Sequence, residues 1–246
     1  MWQDLGLVEM FHGHDDYVTV GENIGQTDCA ILPCGLNWIM TAQPVVLGHW
    51  PATEIMGERF TSVGAWRGPY GSVEYHDKSY GLRAHEFRKF MELPRLSGQP
   101  FEVALDIHAA EVNDLALLHQ NDWTLIDPKT VAADPWVYRS FLQQSRAEFM
   151  VAKNMYVQSN SGWFSDRSIC YLASGKPVLA QDTGLQKIYP VGKGLLTFST
   201  LEQAVLGVAE IVNNYPRHVR AARALAEEYF GSDKVLRRLL GKLGIA

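Results

Sequence analysis

The sequence predicts an α/β fold in which helices cover both faces of a parallel sheet. From about residue 60 onward, short apolar runs alternate with segments of helical spacing, and this alternation is typical of parallel sheets. Between Phe101 and Ile107 every second residue is apolar, which is the two-residue period of a strand. With 47% hydrophobic and 20% charged residues, the 246-residue chain has the composition of a globular protein with a substantial core.

Six strands are predicted for this sheet. The strand after Pro100 rests on its two-residue period, and the others rest on their length and on the turn residues that flank them. The predicted strands cover residues 60–63, 101–107, 123–126, 148–152, 178–180 and 194–198.

Amphipathic helices are predicted between these strands from apolar spacing and from start and stop residues. Asp134 and Pro135 form a helix start, and Gly175 is a typical helix stop. Ser199 and Glu202 have the spacing of a capping box. The predicted helices lie around residues 84–91, 135–142 and 169–173, after residue 199, and over residues 216–230 and 234–240.

The first 58 residues have a different character from the rest of the chain. Tyr17–Val20 is a plausible strand, and irregular sequence rich in Gly, Pro and Trp follows it through Pro51. One strand cannot form a sheet by itself, so this strand either joins the main sheet or belongs to the remnant of a second domain. We therefore treat residues 1–58 as a remnant plus linker and residues 59–246 as the main domain.

Charge and cysteine content exclude several classes of protein. A net charge of -5 argues against a nucleic-acid-binding protein, which normally needs a basic surface. The first residues lack the basic and apolar regions of a signal peptide, and no apolar run of about 18 residues predicts a transmembrane segment. The three cysteines, Cys29, Cys34 and Cys170, form no disulfide framework and suit a reducing cytoplasm, where we expect the protein.

No metal site is predicted. His12, His14, Asp15 and Asp16 occupy one short polar loop without a second group of ligands, which favours a solvated turn.

Residues 162–185, GWFSDRSICYLASGKPVLAQDTGL, combine two features that suit an anionic ligand. A loop of small residues runs into a helix that Ser165 or Asp166 can cap, and the next strand ends in Asp182 and Thr183. Both features lie at the carboxyl edge of the predicted sheet, where ligands of such folds bind. Gly162 and Gly184 would let a ligand approach the backbone. The alternative is a set of ordinary helix caps without a ligand.

This segment resembles the nucleotide-sugar site of glycosyltransferases with the GT-B fold, whose pattern is approximately E-x-F-G-x-x-x-x-E-A-x-A-x-G-x-P-V-x-A-x-D-x-G. An alignment without gaps matches Phe164, Ala173, Gly175, Pro177, Val178, Ala180, Asp182 and Gly184. The chain is also similar to a bacterial group of these enzymes, akin to CgeB-type spore-maturation proteins, through TVGENIG, QPVVL, FTSVGAWRG, SRAEFMVAKNMYV and GKGLLTF. The resemblance implies that residues 59–246 form a Rossmann-like, nucleotide-sugar-binding domain, the C-terminal half of a GT-B fold.

The sequence departs from the family pattern at both of its glutamates, which are replaced by Gly162 and Cys170. In related enzymes those carboxylates contact the donor sugar and the ribose, so their loss leaves the identity of the donor open. Asp166 lies one helical turn before Cys170. It either supplies a carboxylate to a donor hydroxyl or only caps the helix.

Four further residues are candidates for donor contact. Arg67 follows VGAW, where related enzymes place a basic residue on the donor diphosphate, although an exposed loop arginine is the alternative. Lys153 ends an apolar strand and could reach the ligand edge. Arg167 is a cation at a helix start, which opposes the helix dipole unless an anion is nearby. Trp163 could stack on a base or sugar, or simply pack.

The resemblance implies transfer of a sugar from a nucleoside diphosphate to an unknown acceptor, without a metal or another cofactor. The chain would supply the donor site, while the catalytic residues stay unknown. An acceptor-activating base would come from the other domain, a separate N-terminal partner or a second copy of the chain. The alternative is a non-catalytic protein that binds nucleotide sugars or acts as a scaffold.

Overall fold

The computed structural model describes residues 6–69 and 71–245, apart from the side chains of Leu7 and Val8. Its strands are β1 Tyr17–Thr19, β2 Trp38–Met40, β3 Phe60–Ala65, β4 Val73–Tyr75, β5 Lys78–Tyr80, β6 Phe101–Asp106, β7 Trp123–Ile126, β8 Ala147–Met150, β9 Val178–Gln181 and β10 Leu195–Phe198. Its α-helices are α1 Arg83–Phe87, α2 Leu93–Ser97, α3 Val112–Gln120, α4 Pro128–Val131, α5 Pro135–Gln144, α6 Asn154–Gln158, α7 Asp166–Ala173, α8 Leu201–Asn213, α9 Tyr215–Leu225 and α10 Ser232–Lys242.

The main sheet contains all six predicted strands, which run parallel in the order β10-β9-β8-β3-β6-β7. The chain starts in the middle at β3, moves outward through β6 and β7, and then returns to β8 on the other side of β3. This is the strand order of doubly wound, Rossmann-like folds, and the predicted fold class is confirmed. In such a sheet, ligands bind outside the carboxyl ends of the two central strands, here β3 and β8.

Two hydrophobic cores lie on opposite faces of the sheet. On one face an aromatic cluster packs, with ring centroids 5.1 Å apart for Phe60 and Phe101 and 5.2 Å apart for Phe149 and Phe198. The other face packs against α7 and α9. All residues of β8 and β9 are buried, because helices cover both faces of these strands. Both strands therefore appear in the sequence as short runs without polar alternation.

Most helix boundaries follow their predicted signals. The Asp134 carboxylate accepts hydrogen bonds from the first amides of α5, and Gly175 follows α7 with a φ of 74°. The start of α8 differs from the prediction. Thr200, one residue after Ser199, is the N-cap, and its hydroxyl accepts a hydrogen bond from the Gln203 amide. The predicted capping box of Ser199 and Glu202 is therefore wrong by one residue.

The N-terminal segment forms its own small sheet. β1 pairs in parallel with β2 and lies outside the main sheet, so the first of the two alternatives for the strand at Tyr17–Val20 is excluded. A bridge joins Gly21 to Trp163, and Lys242 of α10 donates to the carbonyl oxygen of Met40 at 2.7 Å. The segment therefore lies against the carboxyl edge of the main sheet and against the last helix.

Candidate functional site

β3 and β8 separate at their carboxyl ends. Their backbones pair only at Phe60 with Ala147 and at Thr61 with Glu148, although β3 continues to Ala65. Beyond Thr61, the backbone of β3 on this side has no strand partner. A fork therefore opens at the position where the strand order reverses.

Arg167 closes the base of this fork. Its guanidinium donates to the Glu148 carboxylate at 2.5 Å and to the Val63 carbonyl oxygen at 2.6 Å. Burial is the largest influence on the pKa of Arg167 and lowers it, but the charge and hydrogen bond of Glu148, together with Tyr138 and Tyr171, raise it, and the net direction is upward. The anion that balances this helix-start cation is therefore a protein carboxylate, and contact of Arg167 with a donor stays a prediction.

A second arginine, which the sequence analysis missed, also contacts the carboxyl end of β3. Arg83 is the first residue of α1, and its guanidinium donates to the Ala65 carbonyl oxygen at 3.3 Å. It occupies the space beside Gly64, where any Cβ would overlap it. Burial, followed by repulsion from Arg167, lowers the pKa of Arg83 to about 10. Two arginines and a single carboxylate, Glu148, thus give this region excess positive charge.

Lys153 lies where the loops after β3 and β8 meet. It is half-buried at the N-cap of α6, and its ammonium group is 5.8 Å from the centre of the Tyr156 ring. The ammonium would lie 3.7 Å from a Cβ on Gly68, so the glycine leaves space open beside it. Burial and the charge of Arg83 lower the pKa of Lys153. Within residues 6–69 and 71–245, Lys153 has no carboxylate partner, so its charge is free to meet an anion.

A buried carboxylate supports the loops that carry these cations. Glu86, which is 1% exposed, accepts hydrogen bonds from the side chains of Asn154 and Gln181. It also forms an ion pair with Lys89 at 2.7 Å. Asn154 in turn accepts the Gly81 amide at 2.7 Å. This network joins the start of α1, the start of α6 and the end of β9. The backbone segments that carry Arg83 and Lys153 are therefore joined to each other by hydrogen bonds.

Arg67 follows β3 as predicted, but it has an internal partner. Its guanidinium forms a two-point ion pair with Glu111 at the start of α3, with one of the distances 2.9 Å. The side chain is 44% exposed, so the pair is in contact with solvent. An anionic ligand would have to compete with Glu111 for Arg67.

The predicted loops at residues 161–164 and 182–185 are tied to each other. The Gly162 amide donates to the Thr183 carbonyl oxygen at 2.7 Å, and the Thr183 hydroxyl donates to the Trp163 carbonyl oxygen at 2.7 Å. The Asp182 carboxylate accepts the amides of Gly184 and Leu185 at 2.9 Å. These groups tie the two loops together, and at Gly184, where we expected a ligand to approach the backbone, the amide donates to Asp182.

Asn23 of the N-terminal segment covers this corner. Its amide donates to the Ser161 carbonyl oxygen at 3.1 Å, and its side chain donates to the Asn160 carbonyl oxygen at 3.1 Å. A Cβ on Gly162 would lie 2.7 Å from the Asn23 nitrogen, and a Cβ on Gly184 would overlap the Asn23 side chain. We expected the space beside these glycines to let a ligand approach the backbone, and in the structure Asn23 occupies that space.

The remaining predicted residues lie around the start of α7. Phe164 is 3% exposed, and its ring packs on Phe230 at 5.6 Å, so its side chain belongs to the core. Ser165 is the buried N-cap residue, and its hydroxyl is 3.3 Å from the Asp166 carboxylate. Trp163 is half-buried with its ring 4.7 Å from that of Tyr156. Among these residues, the Asp166 carboxylate is exposed to solvent.

No model of a known protein family matches this chain, and no curated protein matches it. Solved structures do match it. TarM superposes with a TM-score of 0.56 at 14% identity, over 83% of this chain and 39% of TarM. HepE from Anabaena, in complex with UDP, superposes with a TM-score of 0.56 at 10% identity, over 85% and 58% of the two chains. AviGT4, a glycosyltransferase involved in avilamycin A biosynthesis, superposes with a TM-score of 0.53 at 14% identity, over 84% of this chain and 57% of AviGT4.

The fold is that of a GT-B glycosyltransferase domain. The chain spans 39% to 58% of the length of these three proteins. At such low identities the likeness concerns the fold alone.

Residues 6–69 and 71–245 contain no group of three or more His, Cys, Asp or Glu side chains placed to hold a metal ion. None of the described helices is both long enough and apolar enough to cross a membrane.

Proposed function

We propose that this chain supplies the donor site of a glycosyltransferase that uses a nucleoside-diphosphate sugar. The observation that carries the proposal is the position of Lys153, a half-buried cation without a carboxylate partner in the described residues, at the reversal of the strand order. Ligands of doubly wound sheets bind at this position, and a diphosphate is the anionic part of such donors. The GT-B fold and the UDP bound by HepE support the same assignment.

The proposed site holds the diphosphate between the loops after β3 and β8. Lys153 contacts it directly, and Gly68, with a φ of 91°, lets a phosphate approach the backbone. The charge of Arg83 lies behind Lys153, and Arg67 moves from Glu111 to the ligand. These cations stabilise the negative charge that develops on the departing diphosphate, which is the main demand of sugar transfer from such donors.

The sugar and its acceptor lie toward α7 and the N-terminal segment. Asp166 is the exposed carboxylate closest in sequence to Cys170, one of the two positions where the family glutamates are replaced. We propose that Asp166 accepts a donor hydroxyl. An acceptor-binding surface would come from the region of β1 and β2, from a separate Rossmann-like partner, or from a second copy of the chain.

A non-catalytic donor-binding protein is the second candidate. Two observations favour it: the family glutamates are replaced by Gly162 and Cys170, and Asn23 covers the predicted corner. Such a protein would bind nucleotide sugars without releasing nucleoside diphosphate.

A thermal-shift panel of UDP, GDP, dTDP and CMP sugars tests the proposal. A ligand at one hundred times its dissociation constant stabilises the folded state by about 2.7 kcal/mol, which is readily detected. We expect at least one nucleotide sugar to raise the melting temperature. Flat responses to all of them would refute both candidates, whereas binding without release of nucleoside diphosphate in the presence of candidate acceptors would favour the second.

A further inference from the structure

A cavity of about 220 Å³ lies between the N-terminal segment and the end of the chain. Its walls come from three parts of the chain: the N-terminal segment, the turn after β9, and the end of the chain around α10. It is lined by Glu22, Met40, Thr41, Ala42, Ile188, Tyr189, Tyr229, Val235, Arg238, Leu239 and Lys242. None of the predicted donor-binding residues lines this cavity, so it is separate from the proposed donor site.

The inner part of the cavity offers groups that bind hydroxyls. Tyr189 is 5% exposed, and its hydroxyl donates to one oxygen of the Glu22 carboxylate. Within the part of the chain that the structure describes, the other oxygen of Glu22 receives no hydrogen bond. Burial raises the pKa of Glu22, whereas Tyr189, Lys242 and Arg238 oppose that rise. Apolar side chains such as Val235 complete the walls, as is usual for small-molecule sites.

The outer part of the cavity is cationic. Arg238 and Lys242 are four residues apart on α10 and so lie on the same face of the helix. One guanidinium nitrogen of Arg238 donates to the Tyr229 carbonyl oxygen at 3.0 Å, and Lys242 donates to that of Met40 at 2.7 Å. These bonds hold both cations at the cavity, and neither forms an ion pair with a carboxylate in the described residues. Among the residues that line the cavity, two cations therefore face one carboxylate, Glu22, and the Glu228 carboxylate outside the lining also attracts Arg238.

We propose that this cavity binds a small hydroxylated molecule that carries one anionic group, a phosphate or a carboxylate. The anion meets Arg238 and Lys242, and the hydroxyls meet Glu22 and Tyr189. A volume of 220 Å³ is about seven times the roughly 30 Å³ that one water molecule occupies, so the cavity has room for a small molecule. The site goes beyond the proposed donor site, and its occupant bridges the N-terminal segment and α10.

Glycerol 3-phosphate is a suitable probe, and its binding to the full chain is measured by titration followed by NMR. We expect binding that weakens about tenfold in Arg238→Leu and in Lys242→Met, because each loses a charge-assisted contact. Arg237→Leu removes the same charge from the neighbouring residue, which does not line the cavity, and should leave the affinity unchanged. Lys153→Ala should also leave it unchanged, which separates this site from the donor site.

Two comparison ligands complete the test. Glycerol lacks the anion and should bind much more weakly than glycerol 3-phosphate. Inorganic phosphate lacks the carbon chain and its hydroxyls. Glu22→Gln should therefore narrow the difference in affinity between inorganic phosphate and glycerol 3-phosphate. Absence of binding by glycerol 3-phosphate at about 10 mM, which is ten times a dissociation constant of about 1 mM, would overturn the proposal. An equal loss of affinity for glycerol 3-phosphate in Arg237→Leu and in Arg238→Leu would overturn the proposal as well.

Discussion

Replacing Arg167 by methionine removes a cation whose balancing charge, Glu148, is completely buried. The side chains are 10% and 0% exposed, so neither charge has much access to water. Removing one member of a buried ion pair costs about 3–5 kcal/mol, because the other charge stays buried without a partner. We therefore expect Arg167→Met and Glu148→Gln each to lower the free energy of unfolding by about that amount.

The double variant provides the decisive comparison. It removes both charges of the pair together with the repulsion between Arg167 and Arg83, but it also removes the carboxylate that offsets Arg83 and the hydrogen bond to the Val63 carbonyl oxygen, which is worth about 1–3 kcal/mol. Additive effects would instead give about 6–10 kcal/mol, the combined cost of two losses of 3–5 kcal/mol each. We expect this large coupling because the Arg167 guanidinium donates both to the Glu148 carboxylate and to the Val63 carbonyl oxygen.

Urea unfolding of the wild type, both single variants and the double variant measures this coupling. For a chain of this size, each kcal/mol also shifts the melting temperature by about 2–4 °C, so thermal unfolding gives an independent check. Additivity within about 0.5 kcal/mol would refute the view that Arg167 is held by Glu148. Arg167 would then be available to a ligand, as the helix-start position first suggested.

Three further predictions concern stability. Burial lowers the pKa of Lys176 to about 8, from an unfolded value near 10.5, and its ammonium donates to the Ile55 carbonyl oxygen. Lys176 therefore loses its proton at a lower pH in the folded state than in the unfolded state. The free energy of unfolding of the wild type should rise relative to that of Lys176→Met as pH increases from about 8 to 10. A difference between the two proteins in urea unfolding that does not change with pH would contradict this. Gly194→Ala should cost about 2 kcal/mol or more, because φ is 75° and a Cβ would lie within 2.8 Å of the Ala222 backbone; an unchanged melting temperature would refute the clash. Asp134→Ala should cost about 1 kcal/mol by removing the cap of α5, and Asp134→Asn should restore most of it.

The sheet could be predicted from the sequence because its strands are buried runs separated by clear helix signals. Four helices, α2, α3, α4 and α6, and the β4–β5 hairpin were missed. The hairpin turns at His76 and Asp77, with φ values of 47° and 58°, in place of the glycine-containing pairs that mark such turns. β2 was missed because it is only three residues long and pairs with a strand that is equally short.

The site was predicted less completely than the fold. The carboxyl edge and Lys153 followed from local pattern and family resemblance. The partners of its residues did not, because they are distant in sequence: Arg167 meets Glu148, and Gly162 meets Asn23. Arg83 carried one usable signal, since a cation at the first position of a helix opposes the dipole and calls for an explanation.

The central claim is that an anionic donor binds beside Lys153. Titration calorimetry with the nucleotide sugar selected by the thermal-shift panel tests it in the wild type, in Lys153→Ala and in Lys129→Ala, which removes the same charge from an exposed site on α4. Loss of a charge-assisted contact is worth about 1.5–3 kcal/mol, so Lys153→Ala should weaken binding by at least tenfold, while Lys129→Ala should bind like the wild type. Equal affinities for all three proteins would contradict the placement of the donor diphosphate at the fork between β3 and β8.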